Sequence, residues 1–493
     1  MKRNLKQLIN KKELLIILLI FFTAFAVRWI RIPEYLFFGY EQGRDALVIK
    51  DIYIMEKFTL VGPKTDIDGV FHGPIYYYLM TIPYALSGGN PLTASLFLIL
   101  LSSMTAVVMY YFFKDFLKSQ RWAIVGGLLV AFSFEVIVYA RWLSNVTLAI
   151  PFTALAFLML WKYHQEKSDK FLYLSVIFAS LASSFELLLI FQFIFIYIIL
   201  ILKRIIIFPK LKNIVVSALL VSIIFSPLIL FDLRHQNITI NSILNNPKSE
   251  MTIDIFKSLS PYLFKFSNVL DRTLFNMPTL TAKIIFYLMM LIGLLKVFVY
   301  SKGEKQKRTR LVFLLVWGLM SFSTYWISGG LDQNFTASIL GLIALFLLAV
   351  KTLWEDKKTK VLSFVLIILF IISAVFSINN LLRNKGSFFV TVQNDLNLAD
   401  QRSIFDFINT DSDGNPYKLI AFTIPSLHPE GWLYLHDYYY PDKKDEMAKL
   451  VYVIIEKNVY PVWEKKWIED LGKTTLIEER EIGLLRVQKR LNE

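Results

Sequence analysis

Three kinds of residue are scarce or absent in this chain of 493 residues, and each shortage excludes a class of protein. There is no cysteine, which excludes disulfides, thiolate chemistry and Cys-ligated metals. Only five histidines occur, and no two have the close spacing that is typical of a zinc site. Charged residues make up 19% of the chain and hydrophobic residues 55%, which is not the balance of a soluble globular protein.

Apolar runs long enough to cross a bilayer recur along the whole chain, so the sequence predicts a multi-pass protein of the plasma membrane. A net charge of +14 is of the kind that nucleic-acid-binding proteins carry. However, the Lys and Arg residues are concentrated in short loops between the apolar runs, where membrane orientation explains them. We therefore expect a lipid bilayer as a partner and no nucleic acid.

Charge counting predicts about eleven membrane spans, with the N-terminus in the cytoplasm. Residues 1–12 carry five Lys or Arg residues ahead of the first apolar run, the pattern of an uncleaved signal anchor. The predicted spans are Leu14–Ile30, Leu92–Phe113, Ala123–Ala140, Val146–Trp161, two short spans within Phe171–Leu202, Ile214–Phe231, one ending before Lys302, Leu311–Ile327, one ending before Lys351, and Val361–Leu381. Splitting Phe171–Leu202 at Glu186 places the lysines that follow it inside; one tilted helix with a buried Glu186 is the alternative.

Composition changes after the last span, and this change predicts two domains. Residues 1–382 form the predicted membrane domain, with large outer loops at residues 31–91 and 232–279. Residues 383–493 carry 15 basic and 18 acidic residues and apolar runs of strand length. The predicted elements of this second part are helices at 398–409 and 463–471, strands at 418–424 and 450–455, and a hairpin at 475–487. The predicted fold class is thus all-α in the membrane, with a small extracytoplasmic α/β domain.

The first outer loop contains the most distinctive residues of the chain. Glu41 and Asp45 are four residues apart, which on a helix places both carboxylates on one face. The loop ends in the sequence HGPIYYYL from His72 onward. Further charged residues lie at the predicted outer ends of spans, where an ionisable group is costly enough to indicate a function. These residues are Arg28, Glu135, Arg141, Glu186, Asp232 and Arg234. We expect Glu135 and Glu186 to face a polar cavity that opens outward and that Glu41, Asp45 and several arginines also line, whereas Arg28 is explained by snorkelling to the headgroups.

On these residues the chain resembles the GT-C membrane glycosyltransferases. The resemblance is to the RgtA/B/C/D-like branch, which is related to the family 39 protein mannosyltransferases and the lipid A aminoarabinose transferase. The matching segments are Glu41-Gln42, His72 to Tyr77, Arg141 to Asn145 and Asp232 to Gln236. The chain departs from the family pattern in two places. Gln42 stands where the second member of an acidic pair is usual, and the loop at residues 332–335 lacks the usual His-Tyr.

The resemblance implies transfer of a sugar from a polyprenyl-phosphate donor to a cell-envelope acceptor (glycan, lipid or protein) at the outer face. It implies Glu41 as the general base, with Asp45 as the second candidate, and inversion at the sugar. The implied substrate-binding residues are Arg44, His72, Tyr76, Arg141, Asn145, Glu186, Arg234 and His235. Two of these roles have structural alternatives. Asp45 would serve as a scaffold if it paired with an arginine, and Arg234 and His235 would serve as headgroup anchors at a helix end.

No metal site is predicted from residue spacing, and no cofactor is certain. A divalent cation held by Glu41, Asp45 and the carrier phosphate stays open. Two other classes of protein fit the composition: a transporter or flippase for lipid-linked saccharides, and a non-catalytic scaffold of the cell envelope. The sequence has no visible paired repeat of the kind that many transporters show. A scaffold would leave the Glu41 loop without a purpose.

Overall fold

The computed structural model describes residues 11–245, 255–324, 332–383, 396–424, 428–456, 461–472, 474–483 and 485–492. Within these residues helices dominate up to residue 383, and a four-stranded sheet follows. This arrangement confirms the predicted fold class of a multi-pass helical membrane protein with a small C-terminal α/β part.

The helices of the membrane part follow the apolar runs, since a helix satisfies its own backbone hydrogen bonds in lipid. In chain order they are α1 (Lys11–Trp29), α2 (Ile32–Tyr35), α3 (Tyr40–Met55), α4 (Ile75–Leu86), α5 (Pro91–Leu117), α6 (Gln120–Phe132), α7 (Phe134–Ala140), α8 (Val146–Glu166), α9 (Asp169–Phe185), α10 (Leu189–Leu202), α11 (Leu211–Arg234), α12 (Ile238–Leu244), α13 (Ile255–Leu274), α14 (Leu280–Ser301), α15 (Lys305–Gly318), α16 (Ser338–Glu355) and α17 (Lys360–Arg383).

Among the described residues, seven segments are long and apolar enough to cross a bilayer singly. They are α1 with α2, α5, α8, α11, α14, α16 and α17, and the bent pair of α6 and α7 makes an eighth. The other three predicted spans coincide with α9, α10 and α15, which have 17, 14 and 14 residues. They are shorter than the roughly 20 residues of a typical full crossing. Each predicted span thus coincides at least in part with a helix, but not each helix has the length of a full span. Helix α15 ends at Gly318, and residues 325–327 of the predicted span Leu311–Ile327 lie outside the described residues.

The predicted break within Phe171–Leu202 is present. Helix α9 ends at Phe185, Glu186 has an extended backbone (φ −138°, ψ 102°), and α10 begins at Leu189. The alternative of one continuous tilted helix is therefore wrong, and Glu186 lies in the turn between two short helices.

The bend between α6 and α7 explains a buried charge that the sequence assigned to the headgroups. The two helices meet at 56° around Ser133. The last carbonyls of α6 have no helical partners, and Arg28 donates hydrogen bonds to two of them, Val130 O at 3.3 Å and Ala131 O at 3.2 Å. Arg28 is fully buried. The interpretation that it snorkels is wrong because the bend offers its guanidinium acceptors inside the protein.

The first predicted outer loop, at residues 31–91, contains α2, α3, a short hairpin and α4. Backbone hydrogen bonds join Gly62 N to His72 O and His72 N to Pro63 O, both at 2.9 Å. These bonds return the chain from the end of α3 to the start of α4. The hairpin thus brings His72 and the residues after it back toward the start of α3, where Tyr77 contacts Asp45.

The C-terminal part contains α18 (Leu398–Asp411), β1 (Lys418–Phe422), α19 (Glu430–Tyr439), β2 (Leu450–Ile455), α20 (Pro461–Glu469), β3 (Thr474–Ile482) and β4 (Leu485–Asn492). The sheet order is β1-β2-β4-β3; β1 and β2 are parallel and the other pairs antiparallel. The predicted helices and strands are all present. Helix α19 is not among the elements predicted from the sequence.

Candidate active site

Gln42 holds the start of α3 in place. Its Oε1 accepts a hydrogen bond from Gly39 N at 3.1 Å, and its Nε2 donates to Leu143 O at 3.2 Å. An amide both accepts and donates, whereas an ionised carboxylate only accepts. The departure from an acidic pair thus has a structural reason: this side chain joins α3 to the turn that follows α7.

Asp45 is buried and bound on one side. Its Oδ1 accepts hydrogen bonds from Arg44 Nε at 2.9 Å and from Tyr77 Oη at 2.9 Å, and Arg44 Nη2 lies 2.8 Å from the same oxygen. Burial raises the pKa of Asp45, and Arg44 and Tyr77 partly offset that effect. The pairing that the sequence left open, between Asp45 and an arginine, is formed with Arg44.

Glu41 lies one turn earlier and is exposed, with no hydrogen bond or ion pair among the described parts of the chain. Water reaches the side chain, yet enough protein surrounds the carboxylate to desolvate it. That desolvation raises the pKa of Glu41, and the charge of Asp45 raises it further. A carboxylate with free oxygens and a raised pKa has the properties of a general base.

His72 and Gly73 fasten the far end of the loop to the turn between α9 and α10. His72 Nδ1 accepts from Leu187 N at 3.3 Å, and Gly73 N donates to Ser184 O at 2.8 Å. A Cβ on Gly73 would lie 1.9 Å from Ser184 Oγ, so only glycine fits. Burial, followed by the charge of Arg44, lowers the pKa of His72 to about 4. His72 is therefore neutral near pH 7.

Tyr76 and Tyr77 bring α4 against the acids. Both are buried, and their ring centroids are 5.8 Å apart. Tyr77 donates to Asp45, and burial raises its pKa, which keeps the hydroxyl protonated as a donor. Burial also raises the pKa of Tyr76, with Asp45 as the next cause, which places that ring near the same carboxylate.

Asn145 and Glu186 lie on the two turns that meet the loop. Asn145 Nδ2 donates to Phe185 O at 2.5 Å, which joins the turn after α7 to the end of α9. Glu186 is buried, and its Oε1 accepts from Leu188 N at 3.4 Å. Both residues belong to the outer turns that hold His72 and Gln42. The structure therefore brings them together with the acids of α3, as expected, while direct substrate contact by either stays a prediction.

Arg141 points away from the acids. Its Nη1 donates to Arg28 O at 3.0 Å and to Ile30 O at 2.6 Å, so the guanidinium holds the end of α1. The predicted contact between Arg141 and a phosphate stays a prediction, and this geometry does not favour it.

Arg234 and His235 lie at the other end of α3 from Glu41. They line an open groove of about 420 Å³ together with Asp51 and Lys57. Asp51 is ten residues after Glu41, which is about 15 Å along a helix. In the described part of the chain no hydrogen bond or ion pair joins either side chain to Glu41 or Asp45, so their predicted role in binding substrate stays a prediction. Helix α11 ends beside the second half of α3 and the chain that follows it.

Glu135, expected to face an outward cavity, is buried and paired. Its Oε2 lies 2.6 Å from Arg272 Nε, and Arg272 belongs to α13. The second outer loop thus supplies a cation for this acid. A buried pair of this kind accounts for Glu135 without a role in binding substrate.

Helix α19 of the C-terminal part crosses α3 between the two acids. A Cβ on Gly43 would lie 2.3 Å from Gly431 Cα, so the two backbones touch there. Nearby, the rings of Tyr40 and His428 stack with centroids 4.4 Å apart. Gln401 of α18 donates from Nε2 to Phe38 O at 3.0 Å. The C-terminal part is therefore one wall of the site.

Sequence reasoning missed several of these residues. The segment that begins at His72 predicts a binding role for Tyr76 but not for Tyr77. Asp66, at the tip of the hairpin, was not selected although its charge contributes to the raised pKa of Glu41. Gly43 gave a weak signal, since a glycine within a helix is costly unless something requires it. The contact with Gly431 is between segments far apart in the sequence.

A metal ion has no complete ligand set here. No group of three or more His, Asp or Glu side chains in the described ranges is arranged to hold one. A cation between Glu41 and Asp45 would need oxygens from the substrate phosphate. The sequence leaves open a divalent cation held by Glu41, Asp45 and the carrier phosphate, and this cation stays a prediction.

Part of the sequence matches a known family, and the fold is similar to that of solved structures. Residues 71–231, about a third of the chain, match the family described as dolichyl-phosphate-mannose-protein mannosyltransferase. Comparison with curated proteins gave no match. Two solved structures of ArnT from Cupriavidus metallidurans share the fold. The one bound to undecaprenyl phosphate has 11% identity and a TM-score of 0.58, and the apo one has 10% identity and a TM-score of 0.60. In both cases the similarity covers 96% of this chain and 97% of ArnT.

Proposed function

We propose that this chain, a member of the GT-C superfamily of membrane glycosyltransferases, transfers a sugar from a polyprenyl-phosphate carrier to a cell-envelope acceptor at the outer face. One observation carries the proposal. Glu41, unpaired among the described residues, lies one turn from a buried Asp45–Arg44 pair, where the loop meets two outer turns. The undecaprenyl phosphate in the ArnT structure supports the class of carrier.

The proposed reaction is a single displacement. The acceptor hydroxyl oxygen forms a bond to the anomeric carbon while the bond from that carbon to the phosphate oxygen breaks. Glu41 takes the hydroxyl proton, and the polyprenyl phosphate leaves with the electron pair. Attack opposite the leaving group inverts the anomeric centre. Proton acceptance by a positioned carboxylate accelerates such a step by about 100- to 10,000-fold.

Arg44 is the cation best placed for the leaving phosphate. Its guanidinium is half-buried and held by Asp45, so its orientation is fixed before substrate arrives. An arginine retains donors for phosphate while it binds a carboxylate, because the guanidinium carries five N–H groups. His72 is neutral and buried, so it contributes position rather than charge. Asp45 in this scheme orients Arg44.

The proposal is tested in cells that lack the protein, by mass spectrometry of envelope glycans, glycolipids and glycoproteins. We expect loss of one sugar from one envelope component and build-up of the corresponding polyprenyl-phosphate sugar. A plasmid copy of the wild type restores the product. Unchanged envelope sugars would overturn the proposal. Donor trapped on the cytoplasmic face would point instead to a flippase.

A further inference from the structure

A second polar cavity lies at the opposite ends of the membrane helices from the acid site. Its volume is about 270 Å³, and it lies between the ends of α5, α14, α15 and α16. Helix α5 begins at Pro91, next to the first outer loop, and ends at Leu117 in the wall of this cavity. A helix of 27 residues is about 40 Å long. The cavity is therefore on the other side of the membrane from Glu41.

Three cations and two acids line the cavity, but the acids are already paired. Lys351 forms an ion pair with Glu355, and Asp356 pairs with Lys296. Lys307, the second lining cation, lies 2.7 Å from Glu304 outside the cavity. These pairs leave the third cation to be accounted for.

That third cation is Arg310. Within the described residues its guanidinium makes no ion pair, and its buried Nε has no hydrogen-bond partner. The guanidinium carbon lies 5.9 Å from the centroid of the Phe116 ring. A buried donor without an acceptor is costly. An anion in the cavity would remove that cost, and a guanidinium binds a phosphate through two parallel hydrogen bonds.

The surroundings favour a lipid phosphate over a free one. Leu117, Val297 and Leu348 give the cavity an apolar wall. On α14, next to it, Val299 and Tyr300 are 62% and 48% exposed. Since α14 is long and apolar enough to cross a bilayer, we expect these exposed side chains to lie against lipid. A lipid bound here would thus place its headgroup beside the cations and its acyl chains against apolar surface. Basic pockets between membrane helices are known to bind anionic headgroups.

We propose that this cavity, at the ends of α14, α15 and α16, binds the phosphate of one anionic phospholipid through Arg310, assisted by Lys307 and Lys351. The site is separate from the transfer site and does not depend on the proposed function. It would fix the three helix ends to the leaflet opposite the catalytic loop.

The test uses the full-length protein in detergent and native mass spectrometry during titration with phosphatidylglycerol. We expect one tightly bound molecule on the wild type, retained in excess phosphatidylcholine. Arg310→Gln should weaken this binding by about tenfold, the scale of a charge-assisted hydrogen bond. The matched control is Arg308→Gln on the same helix, since Arg308 is exposed and does not line the cavity. It should bind as the wild type does.

Arg310→Lys serves as the second variant, because it keeps the positive charge but lacks the planar guanidinium. An affinity for phosphatidylglycerol between those of the wild type and Arg310→Gln supports the site. Equal binding by the wild type and Arg310→Gln would overturn the proposal, as would an equal loss in Arg308→Gln. Should the glutamine variant fail to fold, absence of a tightly bound phosphatidylglycerol on the wild type would overturn it. Equal displacement by inorganic phosphate at matched concentration would overturn the lipid assignment.

Discussion

Each half of α3 carries an aspartate that pairs with a nearby cation, but the two aspartates have different surroundings. Near the start of the helix, in its second turn, Asp45 is buried and bound by Arg44 and Tyr77. Toward the end of the helix, Asp51 faces an open groove and makes a longer ion pair of 3.4 Å with Lys57. The difference arises from neighbours: α19 and two outer turns close around the first turn, and only the end of α11 lies near the other. A charged residue on this loop is thus informative only with its neighbours.

The crossing of α3 and α19 is the contact whose loss would remove this difference most completely. Gly43→Ala places a Cβ against the backbone of Gly431, and the first turn of α3 must move. A displacement of about 1 Å near reacting groups costs about 100-fold in rate. We expect a loss of at least that size in transfer by membranes that contain the variant.

The matched control for Gly43→Ala is Gly303→Ala, since a Cβ on Gly303 meets no atom within 4 Å. It should transfer at the wild-type rate. Full activity of Gly43→Ala in protein of normal abundance would show that the C-terminal part does not position the acids.

Gln42→Glu restores the acidic pair of the resembling family and is expected to be harmful here. The carboxylate cannot donate to Leu143 O, which loses its hydrogen bond. Leaving a buried group unpaired costs about 1–3 kcal/mol. Thermal unfolding of the purified variant should begin at lower temperature, and transfer should fall by about tenfold. Higher transfer activity in Gln42→Glu than in the wild type would show that the second acid is catalytic. It would also show that Gln42 lowers activity rather than stabilising the site.

The pH dependence of transfer distinguishes Glu41 from Asp45, the two acids near the start of α3. If Glu41 is the base, activity rises with pH through its pKa, which burial and then Asp45 raise. Asp45→Asn removes that second cause and frees the charge of Arg44, so the acidic limb should shift to lower pH. Asp66→Asn should shift it in the same direction by less. If the acidic side of the pH–activity profile stays at the wild-type pH in both variants, Glu41 is excluded as the titrating group.

The smallest effect is expected at the far end of α3. Arg234→Gln and His235→Gln remove side chains that line the groove with Asp51, a residue about 15 Å along α3 from Glu41. Transfer rates at saturating donor should stay at the wild-type value, measured beside Arg44→Gln, which should lose most of its activity. A loss in Arg234→Gln as large as in Arg44→Gln would return Arg234 to the role predicted from the sequence.

Much of this architecture follows from local pattern. Hydropathy and basic loops located the helices, and the charged break at Glu186 marked the turn between α9 and α10. Four-residue spacing placed Glu41 and Asp45 on one face. The contacts that complete the site were not predictable in this way. Arg28 with Val130, Tyr77 with Asp45 and Gly43 with Gly431 each join distant segments, and local periodicity carries no information about such pairs.

Convergence was the weakest inference. Arg141, Arg234 and Glu186 all lie at outer helix ends, and the sequence placed them together for that reason. The structure separates them because an outer end also has a direction: Arg141 faces α1, and Arg234 faces the far end of α3. Only Glu186 lies in a turn that meets the loop through His72 and its neighbours.

The central claim is that one acid at the first turn of α3 takes the proton, and the most direct test is a single-turnover measurement on purified protein in lipid nanodiscs. The rate of sugar transfer from a polyprenyl-phosphate donor is compared between Glu41→Gln and Asp51→Asn, two charge-removing changes on one helix. We predict a loss of about 100- to 10,000-fold for Glu41→Gln and the wild-type rate for Asp51→Asn. Equal rates in the two variants would contradict the account.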